Sequence, residues 1–456
     1  MRRLKTTALC LIGIAIFGFP ARSLAQQDST TKKQLKLPVK AAKEFESHFH
    51  LLATEEEQEP GNAIPVLLRM VYEQEPFMRD VYPKLHEYVE MDVADPRLKE
   101  FYFARFAEQI NRAGSMSFAD WQYPLRSDRP YSIMLPDMQS QRQFVGRGMT
   151  AWIRLLLSKG ELDEALKCIK GQLGCSRHCA ATPVIVCQMV GLAIANSAFD
   201  NLELAIQSGK CPNMYWSLAA LPPTLQDLAP MVRWELWATP ARLNEPLPPI
   251  GDKEWIQIAR KFVELVAESS DERYTPDEGA KLQDKMQKLA KEQLPEALGF
   301  TDAEIKQMSS EELIMRWVYM QYCRIRTQVE PLAFQSPTQV IGAKSKIEAE
   351  NTALLKSTGA KSSPYPFVLP QGILACRNFE RRVKFLQTIE SLRDYASKHD
   401  GSFPARLADL DLPAPNDPFT EKPFEYELKG TTARIRQAAI EGYKFTLYDY
   451  ELTALK

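Results

Sequence analysis

Three small groups of residues have the types and spacing to do chemistry. Cys175, His178 and Cys179 stand in Cys-Ser-Arg-His-Cys, with the two thiols four residues apart and so on one face of a helix. Cys168 lies one heptad earlier on the same face. Thiolate sulfur and imidazole nitrogen suit borderline-soft metals, which makes the cluster a candidate thiol or metal site. The spacing is neither the Cys-x-x-Cys of zinc knuckles nor the Cys-x-x-Cys-His of c-type haem. A buried helix face, or a disulfide from one of these thiols to Cys187 or Cys211, are the other readings. Asp409, Asp411 and Asp417 form the second group. Hard oxygens in a turn-rich stretch could hold calcium, and turn capping is the alternative. His48-x-His50 and His86 form the third, but no carboxylate motif flanks them and they read as polar surface residues. His399 closes a helix, where a cation suits the dipole.

No Gly-x-x-x-x-Gly-Lys phosphate loop, Gly-x-Ser-x-Gly elbow, His-Glu-x-x-His pair or Rossmann fingerprint occurs in the chain. Apart from calcium, no cofactor is implied. Paired carboxylates leave no short signature, so an extracytoplasmic hydrolase with carboxylates in an inter-helical groove stays open.

The chain begins as secretory leaders do. Arg2, Arg3 and Lys5 precede a twelve-residue apolar run, Ala8 to Phe19, and Ser23-Leu24-Ala25 is a small-x-small cleavage signature. Residues 1–25 are expected to be a signal peptide cleaved near Ala25-Gln26. An uncleaved anchor is the alternative, although spanning a bilayer takes about 20 apolar residues. No later stretch reads as apolar enough to cross a membrane, so the expected location is secreted or periplasmic. Losing Arg2, Arg3, Lys5 and Arg22 with the leader leaves 58 acidic residues against a basic set reduced by four from 57. That acidic balance argues against a nucleic-acid partner, which needs a concentrated basic surface. Cys168, Cys175, Cys179, Cys187, Cys211, Cys323 and Cys376 remain, an odd set of seven that leaves at least one thiol free or shared between chains.

Several elements must position these groups. Residues 26–40 are polar and read as a disordered tether. Residues 41–240 read as a helical body with hairpin repeats. One helix ends at Gly160; the next carries Leu162, Leu166, Ile169 and Leu173 at helical spacing. Thr182-Pro183 reads as a cap with proline at the first helical position. Residues 114–136 read as a long packed loop. Residues 241–370 form a charged helical segment and linker, opened by the proline-rich boundary 240–249. There Thr301 with Glu304, and Ser309 with Glu312, each fit a capping box. The run 277–292 reads as a solvated helix face, and a Lys-Ser-Ser-Pro-Tyr-Pro linker begins at Lys361. The last stretch, 371–456, places Phe385, Ile389, Leu392 and Tyr395/Ala396 on a helix face, then alternates Phe424, Tyr426 and Leu428, Ala433 and Ile435, and Phe445 to Leu452. Asn416-Asp417-Pro418 initiates a turn.

Two segments carry a resemblance. Cys211-Pro212-Asn213-Met214-Tyr215-Trp216-Ser217-Leu218-Ala219-Ala220-Leu221-Pro222 and the run from Ile389-Glu390-Ser391-Leu392-Arg393-Asp394-Tyr395-Ala396 through Gly401-Ser402-Phe403-Pro404 to Pro413-Ala414-Pro415-Asn416-Asp417-Pro418-Phe419 resemble an uncharacterised family of secreted, mostly helical planctomycete proteins. That resemblance, over 144–456, implies an architecture and no catalytic residues. The final stretch is also similar to the globular part of type II secretion major pseudopilins. It departs from them in lacking the hydrophobic prepilin helix with its processing site, and in having Glu421 where they carry glycine.

The expected fold is mainly α: a helical-repeat-like body of α-hairpins with a small C-terminal α+β domain of one helix and a three-stranded antiparallel sheet. The expected function is non-catalytic, a module binding a protein or cell-envelope component. The oligomeric state stays open.

Overall fold

The structure, a computed structural model, describes residues 30–42, 49–73, 84–125, 135–223, 227–237, 247–268, 275–359, 368–443 and 445–455. The leader, His48, most of the proline-rich boundary and the linker after Lys361 lie outside the described residues. The protein is mainly α, as its periodicity predicts. It divides into two compact units.

The larger unit takes in residues 27–123, 134–231 and 374–456. Its helices are α1 (Ile64–Glu73), α2 (Leu85–Glu90), α3 (Ala104–Ser115), α4 (Pro136–Gln141), α5 (Met149–Lys159), α6 (Leu162–Ala180), α7 (Ile185–Gln207) and α8 (Tyr215–Ala219). A π-helical stretch, Arg142–Gly148, joins α4 to α5. Gly160 ends α5 at φ 76°, a left-handed position that glycine occupies without steric cost. In α6, Leu162, Leu166, Ile169 and Leu173 are all buried, as their spacing requires. The start of α7 differs from expectation. Val184, extended at φ −115°, stands at the cap position without a side-chain bond, and Pro183 falls before the helix. The α7 helix is long and apolar enough to cross a bilayer by length and composition alone, contrary to the sequence reading, and 61% of its apolar window is buried inside the protein.

The C-terminal residues do not form a separate module. They share the larger unit with the N-terminal half. The antiparallel strands β4 (Glu425–Lys429), β5 (Thr432–Arg436) and β6 (Leu447–Leu455) follow the expected alternation. A further strand, β1 (Thr30–Pro38), pairs in parallel with β6 from Thr30↔Leu447 to Pro38↔Leu455. The sheet is therefore four-stranded and mixed, ordered β1-β6-β5-β4. This corrects the disordered tether expected over 26–40. Threonine, lysine and glutamine hide the strand in composition, yet Leu35 and Leu37 point inward at period two and are buried. Lysines facing solvent suit an edge strand. Two short strands, β2 (Glu59–Asn62) and β3 (Met116–Phe118), form a parallel ribbon of their own, and β3 falls inside the segment 114–136 read as a loop.

Two helices cross the boundary between units, α9 (Leu228–Trp237) and α15 (Val368–Lys398). The periodicity of α15 shows one apolar face, and Phe385, Ile389, Leu392 and Ala396 are indeed buried. The opposite face is buried too: Arg381, Glu390, Arg393 and Asp394 are all fully enclosed. A helix can be buried all round with charges on it only if each charge finds a partner.

The smaller unit contains α10 (Lys253–Glu268), α11 (Pro276–Leu298), α12 (Asp302–Gln307), α13 (Ser310–Val329) and α14 (Pro337–Thr358). Trp255, Leu282, Met286, Leu313 and Trp317 belong to its core. The charged face of α11 is solvated while Leu282, Met286, Ala290 and Leu294 face inward at four-residue steps. Capping boxes form at Thr275/Glu278 and Thr301/Glu304. The Ser309 box is half made. Ser309 accepts the Glu312 N–H, but the Glu312 carboxylate turns to the buried Arg316, 2.8 Å away.

Candidate functional site

The arrangement around α6 begins with glycine. A methyl group at Gly174 would lie 2.0 Å from the Gly114 carbonyl oxygen, and one at Gly114 would lie 2.3 Å from that of Gly171. Helices α3 and α6 therefore touch backbone to backbone at this crossing. Beside the crossing lies an open groove of about 660 Å³, with Gly114 and Gly171 in its wall. Ala53, Ala104, Ala107 and Gly171 make small-residue surface in it, and Trp152 and Leu156 of α5 line it as well. A second hollow of about 200 Å³ adjoins it, sharing Ala53 and Gly114, and ends at Met116 and Phe118 of β3.

Charges of both signs line the larger groove. Lys170 bonds Glu57 at 2.6 Å and holds its carboxyl below the usual range. Lys167 lies 3.6 Å from Glu164. Arg112 forks onto Glu59, its Nε–H shared between the two carboxylate oxygens at 3.0 and 2.9 Å and its Nη2 donating to Oε1. Glu108 and Glu161 also line the groove and have no ion-pair partner among the described residues. The Cys168 thiol is pushed up to about 11 by burial, so it is not a thiolate nucleophile at neutral pH. Gly171 and Gly174, one helical step apart in α6, are the sequence signal of this region; the carboxylates of the groove come from separate segments and leave no motif.

The residues singled out by sequence sit elsewhere, as structural parts. Cys175 and Cys179 are fully buried on α6, and the Cys175 thiol donates to the Ile110 carbonyl at 3.4 Å. Burial raises both thiols. His178 Nε2 lies 3.0 Å from the Ala113 carbonyl, which can only accept, so this nitrogen carries the proton. Burial lowers the imidazole to about 4 and keeps it neutral. All seven cysteines from Cys168 to Cys376 are free. Of the two structural readings, a buried helix face or a disulfide to Cys187 or Cys211, the first is found: Cys168, Cys175 and Cys179 are packed as small apolar side chains. No group of three or more His, Cys, Asp or Glu side chains converges as metal ligands would, among the described residues.

Asp409, Asp411 and Asp417 do not converge either. Asp417 is buried and takes a two-bond fork from Arg381, at 2.9 and 2.6 Å, while accepting the Phe419 N–H at 3.0 Å. Asp409 pairs with Arg406 at 2.7 Å, and Asp411 faces Lys398 at 3.4 Å. Each carboxylate is spent on a different cation. His50 is half-buried, His86 is exposed, and the His399 ring stacks on Tyr395 with centroids 3.8 Å apart.

Two clasps hold the larger unit together. In the first, Glu390 accepts the Met214 N–H at 2.6 Å, and Arg393 donates to the carbonyls of Cys211 at 2.7 Å and Pro38 at 2.6 Å. The Cys211–Pro222 segment is thus tied to both α15 and the end of β1. In the second, Glu203 of α7 receives Arg382 at 3.0 Å, Lys33 at 2.6 Å and the Tyr450 hydroxyl at 3.1 Å. Four elements, α7, α15, β1 and β6, meet on that carboxylate.

The fold thus defines a mainly α protein whose buried charges are structural and whose open groove lies between α3 and α6. No protein-family model, curated protein or solved structure matches the chain.

Proposed function

We propose that this is a secreted or periplasmic binding protein without catalytic activity, which engages a protein or cell-envelope component through the α3–α6 groove. The leader-like N-terminus supports the location. The observation that carries the binding role is the state of the groove's charges. Glu57 and Glu164 are each matched to a lysine of α6, and the Glu57 carboxyl is held low. A general acid needs the reverse, a carboxyl raised toward the working pH by burial or like charge. A paired, amphipathic surface over a floor of alanine and glycine suits reversible docking.

The rival reading is a hydrolase using the unpaired Glu108 and Glu161. Incubation of the full mature protein with isolated cell envelopes, followed by sedimentation and analysis of the supernatant, separates the two. Binding predicts co-sedimentation that the double change Lys167→Glu/Lys170→Glu weakens, with no soluble fragments released. Release of fragments that stops on Glu108→Gln/Glu161→Gln would establish the hydrolase instead.

A further inference from the structure

We infer that the segment 116–121, which carries β3, is an acid-released latch, let go from the end of α6 when His178 takes up a proton. The latch does not depend on what the groove binds. The chain at both ends of this segment is pinned to one residue. The His178 ring donates from Nε2 to the Ala113 carbonyl at 3.0 Å, and the His178 carbonyl accepts the Trp121 indole N–H at 2.9 Å. Between the pins, β3 is three residues long and pairs with the four-residue β2 in a sheet of two strands. A two-stranded ribbon is marginal by itself. The hollow of about 200 Å³ lies between this segment and α6, with Met116, Phe118, Arg177 and His178 in its wall.

The burial of the ring decides the sign. Burial disfavours the imidazolium, the backbone at Ala113 favours it, and Arg177 disfavours it again. No carboxylate acts on the ring among the described residues. Those on the surrounding elements are engaged elsewhere. Glu57 pairs with Lys170 at 2.6 Å and Glu59 with Arg112 at 2.9 Å. Asp120 accepts the Gln122 N–H at 2.9 Å, and Asp137 accepts the Tyr123 hydroxyl at 3.3 Å. Burial keeps the nearby Cys175 and Cys179 thiols protonated. A proton on His178 is therefore poorly matched while the latch is closed. Released into water, the imidazolium stands in the last turn of α6, where a cation suits the helix dipole. Acid thus favours release. The Glu57 and Glu59 carboxyls are held below the usual range, so both keep their charge as His178 gains its own, and their pairs hold the β2 side in place. The movable part is β3, whose release opens the hollow and uncovers the buried Trp121.

The test is hydrogen exchange of the full mature protein at about pH 7 and about pH 5, corrected for intrinsic amide rates. With the imidazole at about 4 in the closed latch and 6.5 when free, release should rise about twentyfold between those two conditions. Amides of 116–121 should lose protection by that factor, and should exchange faster than those of α7 in both conditions. His178→Gln, whose amide keeps a bond to the Ala113 carbonyl, should remove the acid dependence. Trp121→Phe, which deletes the other pin, should speed exchange in both conditions and keep the ratio. Protection in 116–121 equal to that in α7 would mean that only whole-protein unfolding exposes the segment, and would overturn the inference. So would protection unchanged by acid or by Trp121→Phe, an acid dependence that survives in His178→Gln, or one that vanishes in Glu59→Gln.

Discussion

Arg381 and Asp417 meet in a two-bond fork between two fully buried side chains, one on the helix α15 and one in the turn before β4. The guanidinium also donates to the Ala438 carbonyl at 2.8 Å. With Phe419 N–H on the same carboxylate, Asp417 is held from both chain directions. The turn therefore needs no metal to fix it.

Removing one member of that pair strands the other in the interior. Asp417→Ala is expected to cost about 3–5 kcal/mol in urea unfolding, the range for breaking a buried ion pair. The exposed Asp409→Ala should cost under about 1 kcal/mol, as surface pairs do. Calcium added to the wild-type protein should leave its melting temperature unchanged, and a rise with calcium that Asp417→Ala removes would reinstate a metal site.

His178 gives the protein an acid-labile group. Its folded value, about 4, lies below the ordinary 6.5. A base with a lowered value binds fewer protons folded than unfolded. Its contribution is whole above 6.5 and is lost as pH falls from there toward 4. The loss amounts to about 3 kcal/mol over that window. Unfolding measured between pH 7 and 4 should show a component that His178→Gln, whose amide can still donate to the Ala113 carbonyl, flattens.

The contact of α3 with α6 tolerates no side chain. Gly174→Ala would drive a methyl group into the Gly114 carbonyl, which is backbone and cannot swing aside. The expected cost is about 3 kcal/mol, the upper part of the usual range for overpacking. Gly342→Ala meets nothing within 4 Å and lies inside helix α14, so it should be neutral or stabilising. Thermal unfolding of both variants checks the contrast.

Strand β1 should behave as part of the fold rather than as a tail. Leu37 is 1% exposed and sits opposite Ala454 of β6. Leu37→Ala is expected to cost about 2–5 kcal/mol. Hydrogen exchange of the β6 amides should rise in a variant that begins after Pro38. Unchanged protection in β6 would show that the pairing is dispensable.

Much of the helical plan was legible because its signals are local. Gly160, the leucine stripe of α6 and the Thr301 capping box each depend on residues within a turn or two, and each is found where the spacing puts it. The alternation of β4, β5 and β6 was equally local. The groove was not legible. Glu57, Glu108, Glu161 and Trp152 come from three separate stretches of chain, brought together by the glycine crossing of α3 on α6 and by the Lys170–Glu57 pair.

By itself the sequence determined the mainly α class, the element spacing and the turn at Asp417, since propensity, periodicity and capping act over a few residues. Tertiary structure alone decided the rest. It made a strand of Thr30–Pro38, because β6 offered an edge and a pocket for Leu35 and Leu37. It turned the polar face of α15 inward, because Asp417, Glu203, Met214 and Cys211 supplied partners for its charges. Whether a charged residue faces water or a partner is set by what lies across from it, and that neighbour is 36 residues away in the chain for Arg381 and 182 for Arg393.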